Sequence, residues 1–156
     1  VYFILSEIRD WDNDMYKKAV EASFDRWGVS STRKAGYTIA DISSLTEEAK
    51  KERVLTQKYI SLYMNPDEAW AEYRRTGYPK TLINVGERVR ANLPASNPSY
   101  YVFLKDPSAT DVTGIPERIN YPNTYKGLNL NYIEALKNME ASGDSRGKRL
   151  IFATRP

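Results

Sequence analysis

Acidic side chains at two places in this chain have spacings that chemistry could use. Asp10, Asp12 and Asp14, with Glu21 at the twelfth position, match the carboxylate pattern of a calcium-binding loop. The sixth position is Met15, however, where the sharp turn of such a loop needs Gly. Lys17 and Lys18 also bring positive charge to the place of a cation. Acids just ahead of a helix fit the positive end of its dipole, and that is the reading adopted. Glu68 and Glu72 stand one helical turn apart, and a glycosidase needs two carboxylates across a sugar bond. Both are expected to face solvent and to pair locally with Arg74 or Arg75. Gly143-Asp144-Ser145-Arg146-Gly147-Lys148 is one residue short of a phosphate loop and has no strand-to-helix context, so a tail is expected there. The chain has neither Cys nor His, which removes disulfides, thiol nucleophiles, Ser-His triads and the usual zinc ligands. No catalytic residue, metal or cofactor is expected.

The elements around these residues read as helices. Tyr2 to Arg9 is a short apolar run that periodicity alone leaves open between strand and helix. Asp12 or Asn13 can cap a second helix, along which Tyr16, Val20, Ser23, Phe24 and Trp27 recur at helical spacing until Gly28. Ser30 to Ser44 reads as loop. Thr46 opens a further helix with acidic residues in its first turn, and Leu55, Tyr59, Leu62 and Tyr63 share a face. Asn65 and Pro66 then start a helix that Gly77 and Pro79 end. These two helices are expected to pack as an antiparallel pair. From Lys80 to Tyr125 prolines and glycines break the pattern, with short strands expected at Thr81–Val85 and Tyr100–Leu104. Leu130 to Met139 reads as a last short helix with Ile133 and Leu136 inward. The division expected is helical over 1–78, irregular over 79–128, a short helix within 129–141 and a tail over 142–156.

With 23 basic and 20 acidic residues the formal net charge is +3. The two signs are interleaved, as in Lys50-Lys51-Glu52-Arg53, which describes solvated helix faces. No basic stripe alternates with aromatic residues, so no nucleic-acid partner is expected. The sequence shows no signal peptide, membrane-spanning run or lipid-attachment cysteine, and it opens without Met on an apolar run. A C-terminal piece of a longer protein is the expectation.

Four blocks of residues carry a resemblance. Trp70-Ala71-Glu72-Tyr73-Arg74-Arg75-Thr76-Gly77-Tyr78-Pro79 resembles the signature of the SusD/RagB family of outer-membrane, nutrient-binding lipoproteins. Val1-Tyr2-Phe3-Ile4-Leu5-Ser6-Glu7 is similar to that family's E-V-Y-F-I-L-A-E helix, and Ala22-Ser23-Phe24-Asp25-Arg26-Trp27-Gly28-Val29 to its A-S-F-x-x-W-G-V segment. Ile115-Pro116-Glu117-Arg118-Ile119-Asn120-Tyr121-Pro122 fits I-P-x-R-x-x-Y-P. The chain departs from the family at Asn129-Leu130-Asn131-Tyr132, one residue short of N-x-x-N-Y, and at Leu150-Ile151-Phe152, where Trp-Trp is usual.

The resemblance implies a mainly helical, SusD-like fold of tetratricopeptide-like hairpins with long irregular loops and few or no short strands. It implies binding without chemistry: an oligosaccharide or other nutrient held at the cell surface and passed to a TonB-dependent, SusC-like transporter. The lipid anchor to the outer membrane would sit upstream, on the N-terminal part. It implies structural roles for Trp70, Tyr73, Arg74, Arg75, Gly77, Pro79, Pro116, Arg118, Tyr121 and Pro122. A helical protein-interaction module without a small ligand, and a glycoside hydrolase fragment, are the alternatives. Trp70 is expected in the core against the helix bearing Tyr59 and Tyr63, at a cost of about 3–5 kcal/mol when cut to Ala. Helix aromatics are assigned to packing, which leaves the loop residues Tyr37, Tyr100 and Tyr101 as the candidate glycan contacts.

Overall fold

Asp12 joins the first two helices. In the computed structural model, which describes residues 1–90, 100–102, 104, 107, 112, 114–138, 145–150 and 152–153, α1 (Tyr2–Ile8) is followed by α2 (Asn13–Arg26). The Asp12 carboxylate accepts the Met15 N–H at 2.7 Å, satisfying a donor that the first turn of α2 leaves orphaned. Ser6, fully buried on α1, ties the same turn from the other side. Its carbonyl accepts the Asp12 N–H at 3.0 Å and its hydroxyl donates to Asp12 O at 2.8 Å. Asp10 and Trp11 make the reversal with positive φ. Among the described residues, no group of His, Cys, Asp or Glu is placed to hold a metal ion.

The residues fall into two compact units, one built on Val1–Thr81 and one on Leu82–Ala153. The first is helical. After α2, Gly28 takes a left-handed conformation, and Ser30 caps the short α3 (Ser31–Ala35). The sequence reading had only loop there; five residues are too few to show a period. The following loop is held to α2 by Asn13, whose Oδ1 accepts the Ile42 N–H at 3.0 Å and whose Nδ2 donates to Asp41 at 3.1 Å. Lys17 donates to the same Asp41 carboxylate at 2.7 Å and holds it well below the usual carboxylate range. These bonds drive Ile42 into the core, where it packs with Phe3, Tyr16, Ala19, Val20 and Val54.

Thr46 caps α4 (Glu47–Ser61), its hydroxyl accepting the Ala49 N–H. Met64, with positive φ, lies in the turn to α5 (Pro66–Thr76). Asn65 stands at the N-cap of α5 without a side-chain cap bond, and Gly77 closes the helix in the left-handed conformation, its N–H on Tyr73 O at 2.7 Å. α1 packs on α2 and α4, α2 also meets α4, and α4 meets α5.

Four charged side chains lock α1, α4 and α5 together. Arg75 on α5 grips Glu7 of α1 with both terminal nitrogens, at 2.7 and 2.8 Å. Its guanidinium also reaches Glu72, one turn back, at 2.7 and 3.3 Å. Lys58 of α4 closes the set on Glu72 at 2.9 Å. Glu72 is therefore buried and engaged, not solvent-facing as its helical spacing suggested. Burial pushes its carboxyl upward, but the bonds from Arg75 and Lys58 outweigh that and set its pKa below the ordinary value. Trp70 differs too. The position of α5 that is buried beside it is Ala69; Trp70 is only partly buried, and the Arg74 guanidinium lies over its ring at 3.9 Å.

The second unit holds β1 (Arg88–Arg90) and β2 (Tyr100–Val102), antiparallel with Arg88 opposite Val102 and Arg90 opposite Tyr100. The first strand lies beyond the expected Thr81–Val85, which forms turns around Gly86. Two short helices follow, α6 (Tyr125–Leu128) and α7 (Tyr132–Asn138). On α7 the buried pair is Tyr132 and Leu136; Ile133 is exposed. Arg118 is buried, with its guanidinium 5.0 Å from the Tyr121 ring and its Nη1 donating to Ser145 O at 3.3 Å. The Glu117 and Arg118 N–H groups both donate to Arg146 O. Of the phosphate-loop look-alike, Gly143 and Asp144 lie outside the described residues, while Ser145–Lys148 forms a turn.

Two outcomes are expected for this unit-1 scaffold. Glu72 has a lowered folded-state pKa, so its contribution is present above the ordinary carboxylate pKa and is lost as pH falls through the lowered value. Glu72→Gln should cost about 2–3 kcal/mol at neutral pH by denaturant titration, and should lose less stability than the parent on acidification toward the lowered pKa. Trp70→Ala should cost about 1–2 kcal/mol, less than the removal of a core aromatic, whereas Leu55→Ala in the sealed core should cost about 3 kcal/mol. An equal loss at both positions would contradict this assignment.

Candidate functional site

The C-terminal ends of α2 and α4 present aromatic rings that packing leaves outside. Trp27 follows the last residue of α2, and Tyr63 lies two residues past the end of α4. Their rings meet edge to face, centroids 5.7 Å apart and planes at 67°. Trp27 is 41% exposed and Tyr63 69% exposed. The Arg26 guanidinium lies 5.4 Å from the Trp27 ring centre. Helical spacing alone puts both aromatics on the inward faces of their helices. The spacing holds, but Trp27 and Tyr63 lie past the core residues Val20 and Val54 and meet each other ring to ring, with much of each left in solvent. Gly28 ends α2 immediately after Trp27, and Leu62 caps α4 immediately before Tyr63. Position at a helix end was the signal available in the sequence.

Beneath the pair is a hollow of about 270 Å³, whose wall includes Ser23, Phe24, Trp27, Gln57 and Tyr63. Among the described residues, the Ser23 hydroxyl, the Gln57 amide, the Trp27 indole N–H and the Tyr63 phenol make no hydrogen bond. Tyr37, one of the loop aromatics singled out by sequence, stands edge-on to Phe24 with centroids 5.3 Å apart, and is 47% exposed. Tyr37 is thus next to a residue of the hollow's wall without being part of that wall. Tyr100 and Tyr101 lie on β2 of the other unit, opposite Arg90 and Val89. Their side chains lie outside what is described.

A second concavity adjoins the hollow through Ile60 and Tyr63. It measures about 630 Å³ and is lined by Tyr59, Leu62, Met64 and Ala69 as well. Its wall is apolar, and Met64 on that wall is largely exposed to solvent. The motif residues do other work. Arg75 and Glu72 are spent on the helix lock, Gly77 on the cap, and Tyr78 is buried with its hydroxyl donating to Glu48. That bond, followed by the one from Lys80, holds the Glu48 carboxyl below its ordinary value. Pro79 is buried and Pro116 and Pro122 are exposed. Glu72 is engaged by Arg75 and Lys58, and Glu48 by Tyr78 and Lys80.

Comparisons with known proteins agree with this architecture. No curated protein matches the chain. Among solved structures, a chitin-binding SusD homologue from Flavobacterium johnsoniae is 24% identical, with a TM-score of 0.70 over 98% of this chain. The match covers 35% of that protein, so this chain spans about a third of its length. The shared fold is the mainly helical SusD-like one, in which the two strands found here are a small addition. A family model described as starch-binding and associating with the outer membrane matches residues 1–97, which include α1 to α5 and three of the four sequence blocks. Its members are binding proteins, not enzymes. This chain belongs to that SusD-like family.

Proposed function

We propose that this chain is the C-terminal part of a SusD-like protein that binds an oligosaccharide or another nutrient at the cell surface and delivers it to a TonB-dependent, SusC-like transporter. The family match over residues 1–97 carries the reading. The chitin-binding relative supports a glycan as the ligand. Aromatic faces joined to a few placed polar groups are what sugar recognition needs, and the first unit offers both. A lipid anchor upstream of this part would hold the protein to the outer membrane. Among the described residues no helix is long and apolar enough to cross a membrane. Tyr37, Tyr100 and Tyr101 remain the loop residues proposed to contact glycan.

A helical docking module is the second reading, and the apolar groove beside α4 and α5 favours it. Its lining of Tyr59, Leu62, Met64 and Ala69 suits the apolar face of a helix better than a sugar hydroxyl.

Calorimetric titration of the protein with maltohexaose and chitohexaose separates the two. Binding of at least one hexaose is expected. Each Tyr→Ala change at a contacting position should weaken it by about 1 kcal/mol, roughly fivefold. A folded protein that takes up neither hexaose leaves the docking reading.

A further inference from the structure

The hollow between the ends of α2 and α4 has a composition that neither packing nor the helix lock accounts for. Trp27 and Tyr63 line it with their rings in edge-to-face contact, Tyr63 largely in solvent and Trp27 partly so. Four polar groups around it, the Ser23 hydroxyl, Gln57 amide, Trp27 indole N–H and Tyr63 phenol, find no partner among the described residues. A surface that served only to meet another helix would gain nothing from these groups, because each would lose its water without a replacement bond. A purely polar ligand would gain nothing from the rings. A pyranose fits both demands: its C–H faces are apolar and lie flat on an aromatic ring, while its hydroxyls and any N-acetyl group around the rim both donate and accept.

We infer that the Trp27–Tyr63 pair is a sugar-stacking platform, with Gln57 and Ser23 as the hydrogen-bonding groups that set the orientation of one pyranose unit. The assignment rests on the glycan-binding reading above and names the site for it. The volume of about 270 Å³ suits one sugar unit, with the rest of an oligosaccharide running over the surface. Phe24 lines the hollow, and Tyr37 stands edge-on to Phe24. The Arg26 guanidinium beside Trp27 blocks part of that ring, so the open face of Tyr63 is the stacking surface and Trp27 the side wall. Both aromatics are anchored at helix ends, so the platform is preformed by the same packing that orders α2 and α4.

The experiment titrates maltohexaose and chitohexaose against the protein and against Trp27→Ala, Tyr63→Ala, Gln57→Ala and the exposed-aromatic control Tyr125→Ala. Melting curves verify that each variant folds. The expected result is a loss of tenfold or more at Trp27 and Tyr63, a few-fold loss at Gln57 and none at Tyr125. Acrylamide quenching gives an independent readout in the parent, because bound hexaose should shield the exposed Trp27. Trp27→Phe and Tyr63→Phe stand in should an Ala variant fail to fold, with partial loss expected. Hexaose binding that survives both aromatic changes within twofold overturns the platform and leaves the glycan reading intact. No binding by the parent overturns both. Shielding of Trp27 that tracks protein concentration and ignores sugar assigns the face to a second copy and likewise overturns the platform.

Discussion

The Glu7–Arg75–Glu72–Lys58 lock is the constraint on which the first unit depends. Three helices that meet along a modest core would otherwise be free to slide. Arg75 is the member that cannot be exchanged, since only a planar fork can hold one carboxylate with both ends and another with its flank. Burial of its guanidinium works against it, yet the two carboxylates raise its pKa above the ordinary value, so the charge is permanent. The lock also explains why two sequence blocks nearly seventy residues apart carry the family resemblance. Glu7 ends the first block, Glu72 and Arg75 sit within the third, and the structure joins them at hydrogen-bonding distance.

With α1, α4 and α5 fixed, the rest of the first unit follows. Asp12 starts α2 at a set angle to α1, and Asn13 draws the following loop down so that Ile42 seals the core. The core residues Val20 and Val54 lie short of the C-terminal ends of α2 and α4. Trp27, Tyr63 and Met64 all lie at those ends, within two or three residues of a helix terminus. The exposed aromatic face therefore lies past the core residues of α2 and α4, just beyond the turn in which Lys58 joins the lock.

Local chemistry was what the sequence showed well. The Asp12 and Thr46 caps, the left-handed Gly77 and the interruptions of the second unit all follow from residue type and nearest neighbours. Asp12, one of the three aspartates with calcium-loop spacing, is used as a cap. Tertiary burial was not legible. Helical spacing puts Trp70 and Tyr73 on one face, but cannot say that Ala69 turns inward and Trp70 lies under Arg74. It assigns Glu72 to solvent because it cannot see Glu7 and Lys58 arriving from other helices. It assigns Trp27 and Tyr63 to the core because a period says which residues share a face, not where the opposing element stops. Short elements were missed for a related reason: α3, α6 and β1 have too few residues to establish a period.

Glu72 and Trp27 together separate the two roles of the recognisable segments. Both occur in blocks that identify the family, and the spacing of both suggests the same thing, a residue on one face of a helix. Glu72 has every oxygen engaged by cations from its own and a neighbouring helix, which is how a buried charge becomes tolerable. Trp27 has an aromatic neighbour and a nearby guanidinium but an indole N–H with no partner among the described residues, and two-fifths of its surface in solvent. Burying an indole without a bond for its N–H costs free energy, so an amphipathic ring at a helix end remains there only where its polar edge can reach water or a hydroxyl-bearing ligand. The motif that fixes the fold is therefore satisfied by side chains of this chain, Glu7 and Lys58 among them, whereas the polar groups around Trp27 and Tyr63 have no partner among the described residues.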